Sequence, residues 1–234
     1  MKDVMGDRMK DYENTSKYFL PKKSYVILRL DGKSFHTYTR KRNKPFDYTL
    51  MSNMFNSALE VSKHIQGFKM LYTQSDEVSI LFTDTDSVET EAWFRNNISK
   101  MTSISASIMT AHFNKLDSVE NKSGNMAYFD SRVFVVPRDD IANYFLWRVK
   151  DCSRNSLNML ARSEFSHKEL DKKSQKDVHE MLHAKGINFT KYPAHVKNGN
   201  FFIKNFGEYA LDSAPTFNLL DNLVEKALER NEKE

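Results

Sequence analysis

The 234-residue sequence predicts an α+β protein built on a βαββαβ core. Three observations carry the prediction. Four apolar runs of strand length stand at 25–31, 68–73, 77–82 and 131–137. Two intervening stretches, roughly 47–66 and 88–115, repeat apolar residues at helical spacing. With only 7 Gly and 5 Pro, the breaks between these elements are few and readable.

The first run, "YVILRLD", ends in Asp31-Gly32 and reads as a buried strand stopped by a turn. A helix follows from about 47 to 66, with Leu50, Met51, Met54, Phe55, Ala58 and Leu59 on one side and Gly67 as its stop. "FKMLYT" and "EVSILF" are two strands joined by a short polar turn, a hairpin. The next helix, 88–115, carries a stripe of Trp93, Phe94, Ile98, Met101, Ile104, Ser105 and Ile108. "SRVFVVP" is the fourth strand, closed by Pro137. The order is the split βαβ of ferredoxin-like sheets, which sets strands one and three side by side at the centre. Beyond it, the spacing predicts helices over 139–163 and 167–184. Strand-like returns follow through "GINFTKY" and "GNFFIK", then an amphipathic helix to the C-terminus. The expected organisation is a catalytic core over 1–137 and a helical and strand extension over 138–234, packed on the same body.

Composition narrows the function classes. The net charge of +4 is mildly basic and permits a polyanionic partner. The charged clusters "RKRNK" (40–44) and "HKELDKKSQKD" (167–177) each read as a solvated face. Cys152 is the single cysteine, which excludes an intrachain disulfide or a cysteine-rich zinc site and points to a reducing compartment. No apolar run approaches membrane-spanning length, and the charged N-terminus lacks a signal-peptide core. A cytoplasmic protein without a membrane partner is expected.

The chemistry concentrates in the acids. Asp31 closes the first strand and Asp76 opens the third, so the topology brings them together. Alternation puts Asp76 with Val78, Ile80 and Phe82 on one face and Glu77 with Ser79 and Leu81 on the other. Taken singly, each acid is an ordinary turn or cap residue. Taken as a pair, two carboxylates repel unless one is protonated or a divalent cation lies between them. Oxygen ligands without His or Cys suit Mg²⁺, and Gly32 could lend its carbonyl. "KSFH" (33–36) would then turn backbone N–H groups toward a triphosphate.

Several motifs together resemble a known family. "RLDGKSFH", "NKPFD", "YTQSDEVSILF", "WFRNNISK", "DSRVFVVP", "YFLWRVKDC" and "GINF" occur in the order and at the spacing of the tRNA-His guanylyltransferase superfamily. Those enzymes add nucleotides in the 3′-to-5′ direction on a fold similar to the polymerase and cyclase palm. The resemblance implies that Asp31, the Gly32 carbonyl and Asp76 hold two Mg²⁺ ions. It implies that Asp31, Gly32, Lys33, Ser34, Phe35 and His36, with Ser75, bind a nucleoside triphosphate, ATP among them. Lys44 would touch the activated phosphate, Lys100 a further triphosphate, and Asn155 would be a polar site residue, with Glu77 a supporting acid. It also implies tRNA as partner, activation of the RNA 5′ end by ATP, and a homotetramer built as a dimer of dimers.

The sequence departs from the tRNA-His enzymes where they carry "HINNLYN". Here the run is "SRNSLNM" (153–159), with Ser153 in place of the histidine. "RNNISK" likewise offers Asn96 and Asn97 where arginines are expected. This pattern resembles the bacterial and archaeal "-like" branch, whose members repair 5′-truncated tRNA by templated addition. Template-dependent repair is therefore the expected activity, ahead of guanylate addition to tRNA-His alone. Among rivals, "HEMLH" matches a zinc-hydrolase helix through His179, Glu180 and His183, yet no third ligand is placed by pattern. Two solvent-facing histidines beside Val178, Met181 and Leu182 is the simpler reading. A cyclase would need a purine-selecting pair the sequence does not offer, and a non-catalytic RNA-binding module would not need both acids. The aromatics Trp93, Phe94, Tyr144, Phe145 and Trp147 read as core, and Cys152 as a small buried residue.

Overall fold

The computed structural model describes residues 3–119 and 124–229. Along the chain, α1 (Val4–Asn14) precedes β1 (Tyr25–Gly32) and the single turn α2 (Phe35–Tyr38). Next come α3 (Tyr48–Lys63), the hairpin of β2 (Phe68–Gln74) and β3 (Glu77–Thr83), α4 (Ile98–Asp117) and β4 (Phe129–Val135). The second part holds α5 (Ile141–Glu164), α6 (His167–Leu170), α7 (Gln175–Ala184), α8 (Ala194–Asn198), β5 (Asn200–Ile203), β6 (Gly207–Tyr209) and α9 (Phe217–Leu228).

The six strands form one sheet in the order β4-β1-β3-β2-β5-β6, with antiparallel neighbours throughout. The βαββαβ core is as expected, and β1 and β3 lie together at its centre. Both faces of the sheet are covered. On one, Leu28, Leu30, Val78, Ile80 and Phe82 meet Met54, Ala58 and Val61 of α3 and Met101, Met109 and Phe113 of α4. On the other, Ile27, Met70, Tyr72 and Leu81 meet Phe145 and Val149 of α5 and Leu220 and Val224 of α9. Burial on both sides is why β2 and β3 read as unbroken apolar runs. No helix among the described residues is long and apolar enough to cross a membrane.

Local chemistry overrides the simple periodicity at four places. The helix expected over 88–115 begins only at Ile98, after a turn in which Phe94, Arg95 and Asn96 have positive φ (50°, 55° and 63°). The Asn97 side chain accepts the Lys100 N–H at 2.9 Å and caps α4 there. Its buried stripe is Met101, Ser105, Met109 and Phe113, while Ile104 faces outward. The helix expected over 167–184 is two, because Ser166/Glu169 and Ser174/Asp177 each build a capping box that starts a new one. "GINFTKY" is not a strand: Asn188 caps a 3-10 turn over Phe189–Lys191, and β6 supplies the extra strand instead. Trp147 is 54% exposed and Phe94 37%, so the aromatic set is core only at Trp93, Tyr144 and Phe145. The helix α1 has no buried residue and no apolar stripe that announced it. The last five residues of the charged tail lie outside the described residues.

Gly67, which ends the α3 region, has φ +76°, and a Cβ there would lie 2.0 Å from the Thr83 carbonyl oxygen. Gly67→Ala is therefore expected to cost at least about 2 kcal/mol, from left-handed backbone and overpacking together. The urea midpoint checks it; a midpoint unchanged from wild type would refute the clash.

Candidate active site

The hairpin β2–β3 turns in two residues, Ser75 and Asp76, with Ser75 at φ 47°. At that end of the sheet Asp31 of β1 sits opposite Glu77 of β3, and the Gly32 N–H donates to the Asp76 carbonyl at 3.1 Å. The backbone thus fixes the two strand ends that carry the acids. Burial pushes the Asp76 carboxyl above its ordinary range, and the neighbouring charges of Asp31 and Glu77 push the same way. Asp31 has only distant cations, with Arg29 Nη2 at 3.8 Å and Arg132 Nη2 at 4.0 Å.

Glu77 is different. Arg148 donates to it through Nε at 2.7 Å and Nη2 at 2.8 Å, and Arg29 Nη2 lies 2.8 Å from Oε2, the oxygen that also accepts from Arg148 Nη2. Burial pushes the Glu77 carboxyl up, and these two guanidinium groups pull against that. Arg148 Nη2 also donates to Asp151 at 2.8 Å. Ser79, next along the Glu77 face, bonds the Tyr144 hydroxyl at 2.8 Å. Glu77 is therefore a structural anchor, whereas Asp31 and Asp76 keep negative charge that side chains leave largely unanswered. Among the described residues no third acid, histidine or cysteine joins the pair. A two-carboxylate set completed by a carbonyl, water and phosphate oxygens fits a hard divalent cation.

The segment after β1 divides between core and surface. A Cβ on Gly32 would fall 2.2 Å from the Phe35 ring, so glycine lets that ring close over the strand end. Phe35 is buried against Tyr38, Phe113 and Phe129, which leaves only its backbone for a ligand. The Lys33 N–H is already given to the Tyr128 carbonyl at 2.8 Å, so it is not a free phosphate donor as "KSFH" suggested. The side chains of Lys33, Ser34 and His36 are exposed, and Ser34 has φ 54°.

Lys44 is exposed on the loop before α3. The Asp47 side chain caps that helix through the Leu50 N–H at 2.9 Å and also accepts from the Asn43 N–H at 3.3 Å, which pins the loop. A second anchor escaped the sequence reading. Asp117 at the end of α4 is fully buried and receives Tyr38, Arg42 and Asn53. It rivets the 38–42 turn to both helices, and only the neighbouring aromatic pattern could have hinted at a buried acid there.

Beside Ser75 opens a cavity of about 310 Å³, lined by Asp47, Met51, Phe55, Gln74, Ser75 and Met159 among others. It is largely apolar with a few polar groups, the character of a nucleobase-sized site. Lys100 is exposed in the first turn of α4. Asn155 is exposed on α5 and donates to Asp151 at 3.3 Å, which ties it to the Arg148–Glu77 network. Ser153 donates to the Asn198 side chain at 2.7 Å and to the Val149 carbonyl at 3.1 Å. His179 and His183 are exposed on α7 beside the buried Val178 and Leu182, and no third ligand joins them among the described residues.

Residues 6–137, more than half the chain, match the family model for tRNAHis guanylyltransferase. The chain belongs to the tRNAHis guanylyltransferase family. A bacterial tRNA(His) guanylyltransferase-like protein solved in complex with ATP superposes on this tRNAHis guanylyltransferase family member with a TM-score of 0.90. The two are 38% identical, and the match covers 97% of this chain and 100% of that one. A Schizosaccharomyces pombe tRNA(His) guanylyltransferase is 28% identical over 212 residues, 84% of this chain and 78% of that protein. An uncharacterized protein of Acanthamoeba polyphaga mimivirus is 27% identical over 187 residues, 70% of this chain. The chain spans 64% of that relative's length.

Proposed function

We propose that the protein is a template-dependent 3′-5′ nucleotidyltransferase that repairs 5′-truncated tRNA after ATP-dependent activation of the RNA 5′ end. The observation that carries the reading is the Asp31–Asp76 pair, held together by main chain at the ends of β1 and β3 with its charge left largely unanswered. Bound Mg²⁺, as two ions, would supply charge neutralisation at the transferring phosphorus. Asp31, Asp76 and the Gly32 carbonyl would hold those ions. Lys33, Ser34, Phe35 and His36 would line the triphosphate, Phe35 through its backbone. Ser75 would meet the nucleotide whose base enters the adjoining cavity. Lys44 would place positive charge where negative charge gathers on the activated phosphate. Lys100 and Asn155, both exposed, would meet a further triphosphate and the RNA end. The family relationship supports a transferase acting on tRNA, and the ATP complex of the bacterial relative supports nucleoside triphosphates as substrates. A cytoplasmic homotetramer, a dimer of dimers, completes the proposal.

Guanylate addition to tRNA-His alone is the second reading, and the name of the fission-yeast relative favours it. Against it stands Ser153, where those enzymes carry histidine, whose hydroxyl is spent on Asn198 and Val149. The test incubates the protein with Mg²⁺, ATP, all four nucleoside triphosphates and a 5′-truncated tRNA. Stepwise extension that follows the opposite strand is expected. Guanylate addition confined to tRNA-His, with the truncated tRNA untouched, would overturn the repair assignment.

A further inference from the structure

One of the two tryptophans, Trp93, is buried against Phe82. The other, Trp147 on α5, is 54% exposed beside the Arg29–Glu77–Arg148 network, and its surroundings are unusual for a surface aromatic. The Arg148 guanidinium lies 4.2 Å from its ring centroid, and Arg148 is itself locked by Glu77 and Asp151. Tyr144 meets the ring edge-on at 6.0 Å, and Arg29 stands 5.9 Å away while reaching Asp31 at 3.8 Å. The indole is therefore held in place on one side and open to solvent on the other. Arg132, the cross-strand partner of Arg29, is 52% exposed and paired with Asp130, while on α5 Arg154 is 55% exposed and paired with Asp151, and Lys150 is exposed.

A fixed, half-open aromatic ring bordered by arginines is the arrangement that stacks an unpaired base and meets the phosphates beside it. Its place favours polymer over free nucleotide. The cavity beside Ser75 borders β2 and β5 through Thr73, Gln74 and Asn200. Trp147 lies on the other flank of β3, toward β1 and β4, through Arg29 and the Tyr144–Phe134 contact. An open surface there admits a base joined to a chain, with basic residues continuing along its backbone.

We propose that the open face of Trp147 is the stacking surface for a base at the 5′ end of the RNA substrate, with Arg132 and Arg154 meeting its phosphates. The proposal rests on the reading above that the protein acts on an RNA 5′ end. It assigns to this chain a substrate contact outside the nucleotide-binding segment and outside the metal-holding pair.

The test uses the full chain with a 5′-monophosphorylated truncated tRNA transcript, and ATP as the mononucleotide control. Trp147→Ala should weaken transcript binding about tenfold or more, leave the KM for ATP unchanged, and be largely rescued by Trp147→Phe. In the wild type, tryptophan emission should be quenched by the transcript and not by ATP alone. Transcript affinity of Trp147→Ala within about twofold of wild type would overturn the proposal. So would a loss that Phe does not restore, an equal rise in the KM for ATP, or no quenching in the wild type. If the wild type binds the transcript through Trp147 but does not extend it, the proposed reaction fails and this surface stands. If extension proceeds while Trp147→Ala binds normally, the surface alone fails.

Discussion

Asp76→Asn is expected to lower nucleotide addition by about a thousandfold or more while making the metal-free protein more stable at neutral pH. The two halves share one cause. Burial raises the Asp76 pKa, so ionising the carboxyl costs the folded state more than the unfolded chain. That penalty is absent well below the ordinary carboxylate pKa, grows as pH rises toward the folded value, and is fully present above it. Asparagine keeps the shape without the charge, so the variant's stability should lose this pH dependence and exceed that of wild type at pH 7 in chelator. Added Mg²⁺ should stabilise the wild type more than the variant, and less at acid pH, where the carboxyl is protonated. Thermal unfolding from pH 4 to 8, with chelator and with Mg²⁺, reads all of this. A variant less stable than wild type at pH 7 in chelator would show that Asp76 has a structural partner.

Arg148→Met is expected to destabilise the fold by about 3 kcal/mol, the scale on which breaking a buried ion pair leaves a charge unanswered. Glu77 would retain Arg29 but lose both Arg148 hydrogen bonds, and Asp151 would lose one partner while keeping Arg154 and Asn155. Adding Glu77→Gln to Arg148→Met should recover part of the loss, because the stranded carboxylate is then neutral. Urea unfolding of the two single variants and the double variant gives the coupling directly. Additive losses, with no recovery in the double variant, would mean that Arg148 acts through packing alone.

The core strands were legible because each depends on few variables. Strand identity came from apolar runs at 25–31, 68–73 and 77–82, and topology then brought Asp31 to the end of the sheet where the β2–β3 turn lies, with Glu77 as its direct cross-strand partner. Alternation alone did not settle the partners of Asp76 and Glu77, because Asp76 is a turn residue and the register sets Asp31 on the Glu77 face. What stayed hidden depends on partners far away in sequence. The start of α4 turned on one side-chain cap at Asn97, which a 3.6-residue period does not see. The role of Glu77 required Arg148, 71 positions later, to be found on the same face. Asp117 drew no notice in the sequence, because its partners Tyr38, Arg42 and Asn53 lie 64 to 79 positions away. Trp147 fell at helical spacing beside Phe145 and Tyr144, yet sits on the flank of α5 and not on its buried side. The cavity beside Ser75 arises from α3, the hairpin and α5 together, which no single stretch encodes.

The bond from the Gly32 N–H to the Asp76 carbonyl has a consequence for how ions would load. Because that bond ties the end of β1 to the β2–β3 turn, Asp31 and Asp76 are already neighbours before a cation arrives. The repulsion between the acids is borne by the folded sheet and its two cores, so cation entry relieves strain instead of creating order. Affinity would then depend chiefly on charge and hydration, and little on conformational entropy.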